Sequence, residues 1–490
     1  MQQLSALDAQ FLHLESPTTT GHVGALVVLE AVGSPADQLR LEDLRDLLEQ
    51  RLHLVRPLRQ RLLEVPLGLG LPYWVDDPDF DLEFHLREIR LASPASDEQL
   101  AEQLALVHAR PLDRNRPLWE MYLVHGVGEG RQALYTKVHH AAIDGLTGAE
   151  ILSVLMDSTP EPPLVEPPTH PWHPPALPGR AEMLQRGLAS LLLQPGEILR
   201  TLPQTLPHLM DIPGAANVPG AQMISELADA ALRRATGSGR EEEPRPLVAP
   251  RTPLNGAITA HRRFSFGSVP LADVKRVKDA YGLTVNDVVL ALCTTTLRRW
   301  LLDHDSLPAI PIVVAVPVST RPSPPDPDGG HGNQISVMWA QLPTHEADPL
   351  KRLVLVQQSM IEAKQHYEAV PASMLADLSA VIPTALSGLA ARALFRLVTA
   401  PGPPFNLYVS NVPGPQLPLY IAGARVEGVF PLSPVTHLTG GLTVTAFSYD
   451  GALDFGLIAC RELVPDVWNL VGYLGEALTE LLELSAAPAG

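Results

Sequence analysis

Cysteine is nearly absent from this chain of 490 residues; Cys293 and Cys460 are the only two. Two thiols cannot build a disulfide framework, and no CxxC or Cys/His pair has zinc spacing, so a reduced, cytosolic setting and no bound metal are expected. A basic excess is also missing. The formal charge is −18 and the isoelectric point near 5.4, which argues against the cationic face that nucleic-acid binding needs. No uninterrupted apolar run reaches transmembrane length. The nearest, Ser379 to Ala400, carries Arg392 and Arg396 and is broken at Pro383. The opening MQQLSALDAQFLHLE has neither a basic n-region nor an apolar h-region, so no secretory signal is expected. Any meeting with lipid is expected from the surface.

Apolar residues make up 46% of the chain, enough to build sizeable cores and to exclude wholesale disorder. At roughly 150 residues per domain the length suggests two or three domains. Proline is in excess, 49 residues or 10%, about twice the usual ~5%. Nine of the prolines crowd between Ser158 and Pro178, a density that forbids helix interiors and central strands and favours an extended crossover. Residues 180–236 then read as short, leucine-rich helical pieces broken by prolines, either packed on a domain or facing lipid. The layout expected is a first half at 1–157, a crossover region at 158–255 and a second half at 256–490.

Both halves mix strands and helices without a regular βαβ beat, so the fold class expected is α+β. Strands are expected at 22–30, 82–91, 119–127 and 132–138, with helices at 41–54, 97–109 and 146–156. Ser96 reads as a helix cap. In the second half, 261–270 is strand-like and 271–281 helical. TVNDVVLALCTTTLRRWL is a buried helix ending at Arg298 and Arg299, and a strand follows at 310–321. Gln334 to Leu342 is a strand, Pro349 to Tyr367 a helix, and the remainder mostly β before a last helix at 465–484.

The informative segment is His139-His140-Ala141-Ala142-Ile143-Asp144-Gly145. A histidine at the end of a buried strand can keep a neutral imidazole near pH 7, ready to take a proton from an alcohol. Asp144 falls in the turn ahead of a helix, and Gly145 supplies backbone freedom there. Adjacent histidines on a strand point to opposite faces and make a poor zinc clamp. A Ser-His-Asp hydrolase would want a GxSxG elbow, and there is none. Taken alone, the segment is equally compatible with two histidines satisfied inside a core.

Six further segments accompany it in order: LSALDAQFLHLE at 4–15 with HVG at 22–24, PLWE at 117–120, NDVVLA at 286–291, VPVSTR at 316–321, GN at 332–333 and SNVPGP at 410–415. Together with HHxxxDG they resemble the bacterial wax ester synthase/diacylglycerol acyltransferase family. That family lies within the CoA-dependent acyltransferase superfamily of chloramphenicol acetyltransferase and the peptide-synthetase condensation domains. The resemblance implies two chloramphenicol-acetyltransferase-like α/β sandwich halves around a central tunnel. It also implies direct transfer of a long-chain acyl group from acyl-CoA to diacylglycerol or a fatty alcohol, with His140 as general base and no acyl-enzyme. No cofactor is expected beyond acyl-CoA as co-substrate.

The same resemblance places Asp144 in an ion pair with Arg321 that shapes the loop, and gives Asn286 a part in activity. Asp287 reads as helix-dipole support and His139 as structural or substrate-lining. Pro117, Trp119, Ser410 and Asn411 are candidates for the walls of the substrate channel. Arg262, Arg263, Lys275, Arg276 and Lys278 are candidates for a basic CoA mouth. The expected setting is cytoplasmic, peripheral to the inner membrane or to lipid inclusions. Rival readings are a condensation-type enzyme fed by a carrier-protein thioester and a non-catalytic lipid-binding protein of the same fold.

Overall fold

The computed structural model describes residues 1–31, 38–143, 154–168, 172–190, 247–319, 335–369 and 403–486. The first half contains β1 (Gln2–Gln3), α1 (Ala6–His13), β2 (His22–Leu29), α2 (Leu41–Arg51), β3 (Gln60–Leu63), β4 (Tyr73–Asp76) and α3 (Leu82–His85). It continues with β5 (Leu86–Arg90), α4 (Asp97–His108), β6 (Trp119–Val127) and β7 (Arg131–His139). The second half contains β8 (Arg262–Pro270), α5 (Leu271–Tyr281), α6 (Val285–Asp303), β9 (Ile312–Ser319), β10 (Ile335–Leu342) and α7 (Pro349–Ala369). Then come β11 (Leu407–Pro413), β12 (Tyr420–Ile421), β13 (Ala424–Leu432), β14 (Leu442–Tyr449), β15 (Ala452–Cys460) and α8 (Val467–Ala486).

Among the described residues these strands form two six-stranded sheets and one small one. The first large sheet runs β12-β13-β2-β7-β6-β5, the second β10-β9-β11-β14-β15-β8, and the small sheet β1-β4-β3. Strands β12 and β13 come late in the sequence yet extend the first half's sheet, with Leu432 opposite Gly24. The halves are therefore tied by shared backbone hydrogen bonds as well as by packing. Their seam is apolar: Leu26 and Tyr135 of the first sheet share a buried cluster with Phe264, Phe266, Phe430 and Ile458. The approach is close enough that a Cβ on Gly456 would lie 1.8 Å from the Pro431 carbonyl oxygen, so only glycine fits there.

Local chemistry explains most element ends. Ser96 caps α4 by accepting from the Gln99 amide, and the Gln99 side chain returns the bond. The TVND start of α6 behaves likewise through Thr284 and Asp287. Two sequence expectations need correction. The stretch 82–91 is not all strand: Asp81 accepts from the Glu83 amide and starts the short α3, and His85 sinks its ring against Trp119 before β5 begins. Helix α6 runs on to Asp303, past Arg298 and Arg299; Arg298 donates to the Thr344 and His345 carbonyls, and Arg299 pairs with Glu476. Most of the expected helix at 146–156, the apolar run 379–400 and most of 180–236 lie outside the described residues. Among those described, no single helix is long and apolar enough to cross a membrane.

Candidate active site

His139 is the last residue of β7, paired with His22 on β2, and His140 opens a 3-10 turn over His140–Ile143. The change from strand to turn sends the two rings in different directions. The His140 amide donates to the Gly21 carbonyl at 2.8 Å. Its partly buried ring stacks on Phe11 of α1, centroids 4.2 Å apart and planes 16° apart. Burial, followed by the neighbouring His139, pushes the His140 pKa down to about 4. At neutral pH this imidazole is therefore uncharged and can accept a proton.

His139 turns inward. Its Nδ1 accepts from the Ala141 amide at 3.1 Å, so the ring proton sits on Nε2, which faces Glu15 Oε1 at 3.2 Å. The same Glu15 oxygen accepts from the Gly21 amide at 3.0 Å, and Oε2 accepts from Arg114 at 2.7 Å. Burial alone would raise the Glu15 pKa; the His139 ring, the Gly21 amide and Arg114 outweigh it and hold the carboxylate well below its usual range. A Cβ on Gly21 would stand 2.7 Å from His139 Nε2, so glycine is what lets the loop close over the ring.

Behind this pair lie His22, His108 and Lys137, all buried. His22 Nδ1 donates to the His108 carbonyl at 3.3 Å, and His108 Nδ1 meets the Tyr135 hydroxyl at 2.6 Å. Burial, then the charge of Lys137, pushes His22 down to about 3, and burial holds His108 well below its ordinary value. Lys137, wholly buried, donates to the Val107 and Arg110 carbonyls at 3.1 Å and pairs with Glu120 at the same distance.

In the second half, Asp287 accepts from the Thr284 amide and hydroxyl at 2.8 and 2.7 Å, which makes it a capping residue of α6. Asn286 beside it accepts on Oδ1 from Asn411 Nδ2 at 3.4 Å, which joins the NDVV and SNVP segments and turns the Asn286 NH2 away from Asn411. Ser410 is buried on β11, in register with Thr445 of β14. Trp119 sits in the core: its Nε1 donates to the Leu58 carbonyl at 2.7 Å and its ring stacks on His85 at 4.4 Å. Pro117 is buried beside Arg61. Asp144, Gly145 and Arg321 lie outside the described residues.

Arg262 does not belong to a basic mouth. It is buried and its guanidinium is spent on backbone carbonyls, and Arg263 pairs with Glu102 of α4. Glu15, Phe11 and Gly21 are site residues that residue-type reasoning passed over. Each falls in or beside the segments at 4–15 and 22–24, whose resemblance assigned them no roles.

The profile of the wax ester synthase/diacylglycerol acyltransferase catalytic domain matches residues 4–289, and that of the WS/DGAT C-terminal domain matches 331–482. The chain belongs to the wax ester synthase/diacylglycerol acyltransferase family. A Mycobacterium tuberculosis protein provisionally named diacylglycerol O-acyltransferase is 34% identical over 489 residues, spanning 99% of this chain and 91% of the relative. The M. tuberculosis protein tgs2, whose name gives the same activity as probable, is 33% identical over 482 residues, 97% of each chain. The wax ester synthase/diacylglycerol acyltransferase structure from Marinobacter aquaeolei VT8 is 30% identical with a TM-score of 0.67, covering 99% of this chain and 100% of that one.

Family membership bears out the recognition drawn from the seven ordered segments, and the two α+β halves are those that the resemblance implied. The first condensation domain of the calcium-dependent antibiotic synthetase shares this WS/DGAT chain's fold at 17% identity, with a TM-score of 0.51 over 100% of this chain and 97% of that one.

Proposed function

We propose that this WS/DGAT-family chain is an acyl-CoA-dependent O-acyltransferase that moves a long-chain acyl group to diacylglycerol or a fatty alcohol. The observation that carries the proposal is the His140 imidazole. It is uncharged at neutral pH, stacked on Phe11, and set on a turn that Gly21 and the Glu15–His139 pair hold in place. An alcohol is a poor nucleophile until its proton is removed, and a neutral imidazole supplies that base. His140 would take the hydroxyl proton as the alcohol oxygen attacks the thioester carbonyl carbon. The resulting oxyanion collapses, the C–S bond breaks, and the CoA thiolate recovers the proton from the imidazolium. No acyl-enzyme is required, so no side chain need act as nucleophile.

Asn286 is the proposed donor to the developing oxyanion. Its amide NH2 is oriented by the bond from Asn411. A substrate passage between the halves would bring acceptor and thioester to His140 from opposite sides. The proposed setting is cytoplasmic, with the protein peripheral to the inner membrane or to lipid inclusions, because both acceptors partition into lipid. The test is purified protein with palmitoyl-CoA, offered hexadecanol or dipalmitoylglycerol, with free thiol and ester product measured together. Acceptor-dependent thiol release that falls at least a hundredfold in His140→Ala is the expected result. Thiol release without ester, or turnover indifferent to His140, would overturn the proposal.

A further inference from the structure

Residues 15–21 form a tight hairpin between α1 and β2, closed by the reciprocal backbone bonds of Ser16 and Thr19 at 2.9 and 3.1 Å. Its base grips the histidine pair: Gly21 accepts from the His140 amide, and Glu15 faces His139. Its tip belongs to the other half. Arg262, at the start of β8, donates from Nη2 to the Thr18 carbonyl at 2.6 Å and to the Val435 carbonyl at 3.1 Å. From Nη1 it donates to the Thr259 and His261 carbonyls at 2.5 and 3.1 Å. The Thr18 hydroxyl also meets His437 Nε2 at 3.3 Å.

We infer that Arg262 is a positioning residue for the acyl transfer: by clamping Thr18 it lets the second half set the place of the hairpin that carries Glu15 and Gly21, and hence of His140. The inference rests on the function proposed above. A buried cation is costly, and bonds to four carbonyls from three separate segments are what hold it here. A planar fork can bridge those segments at once; an ammonium on a shorter stem cannot. This role differs from charge recognition of CoA, because a guanidinium committed to backbone oxygens has little left for a phosphate.

The experiment measures kcat and KM for palmitoyl-CoA with hexadecanol in the full chain, in Arg262→Met, Arg262→Lys, Glu15→Gln and the Arg262→Met/Glu15→Gln double variant. Arg262→Met is expected to lower kcat at least tenfold while the palmitoyl-CoA KM stays within threefold, with Arg262→Lys recovering part of the loss. The double variant is expected to be no more than about threefold worse than the poorer single variant, because both act through one hairpin. A kcat within threefold of wild type, a loss confined to KM, or losses that multiply would overturn the inference. Should Arg262→Met fail to fold, one glycine inserted after Pro17 slackens the tip while Arg262 remains, and the same kcat loss is expected; an unchanged kcat counts against the inference.

A readout independent of turnover separates this inference from the functional reading. The His140 Cε1–H resonance, assigned by its loss in His140→Gln, is expected to shift in Arg262→Met. An unmoved resonance overturns the clamp even if wild type proves inactive, whereas an inactive wild type with a shifted resonance overturns only the proposed activity.

Discussion

The Phe11 ring lies face to face with that of His140, 4.2 Å between centroids and 16° between planes. A stacked partner hinders rotation of the imidazole about its Cβ–Cγ bond, so the nitrogen of the proposed base is presented in a narrow arc. Phe11→Leu keeps apolar volume in α1 but removes the flat face. It is expected to lower kcat about tenfold and to shift the melting midpoint by only a few degrees. Equal rates for the variant and wild type would show that the ring is aligned by something else.

How far this arrangement could be read beforehand depends on the kind of contact involved. The β-branched run of β2, the Ser96 cap and the boundaries of α5 rest on local pattern, and local pattern is written in adjacent residues. His140 stood out because its neighbours form a motif. Glu15 did not, because His139 is 124 residues away, and Arg262 drew notice only as a cation for CoA, because its bonds all end on backbone carbonyls, one of them 244 residues away, that no residue type announces. Local pattern also misled at 82–91, where the side chains of Asp81 and His85 override an acceptable strand alternation.

With His140 as the proposed general base, its low pKa, about 4, would set an acid limit for the rate. Protonation silences the base only below that value, so kcat/KM is expected to stay nearly flat from pH 8 to about pH 5 and then fall, instead of falling near the ordinary ~6.5. Stability behaves differently. His22, His108 and His140 all have folded values depressed below the unfolded value, so the unfolded chain binds more protons as pH drops through ~6.5. Each ring then removes about 1.4 kcal/mol per pH unit until its folded value is reached. Initial rates taken alongside a folded-fraction measurement separate the two effects; a kinetic limb near 6.5 with the protein fully folded would contradict the assigned environment of His140.

Glu15 binds through both oxygens, and the two deserve separate tests. Glu15→Gln preserves an acceptor for the Gly21 amide but loses the charge beside Arg114 and His139. Its kcat is expected to fall several-fold. Glu15→Ala removes every bond, leaves Arg114 and His139 facing a gap, and is expected to cost a hundredfold or more in kcat. Steady-state kinetics of the two variants provide the check; an alanine variant no worse than glutamine would place the Glu15 contribution in its charge alone.

Asn286 and Asp287 are neighbours with different expected phenotypes. Asp287 closes the capping box with Thr284, so Asp287→Ala is expected to lower stability by about 1 kcal/mol with a modest rate effect. Asn286→Ala is expected to lower kcat ten- to a hundredfold and leave the melting curve nearly in place, as the loss of an oxyanion donor would. Thermal melts and kcat on both variants decide the matter, and the reverse pattern would move the catalytic assignment from the amide to the carboxylate.

Asp454 presents a prediction of opposite sign, where removing a charge strengthens the fold. This carboxyl is 1% exposed on β15 of the second sheet and accepts from Ser268 at 2.6 Å and from the Val429 amide of β13, in the first sheet, at 2.8 Å. Burial pushes its pKa up to about 6 against those two bonds. The folded chain therefore holds an extra proton between roughly pH 4 and 6, and the stability linked to this group is lost as pH rises through 6. Asp454→Asn can keep both bonds, with its Oδ1 accepting from Val429 and its NH2 donating to Ser268, while discarding the buried charge. At pH 7.5 it is expected to be more stable than wild type by about 1–2 kcal/mol, and at pH 4.5 the two should converge. Chemical denaturation at both pH values tests this; a variant less stable at pH 7.5 would mean that the carboxylate is a net support of the seam between the halves.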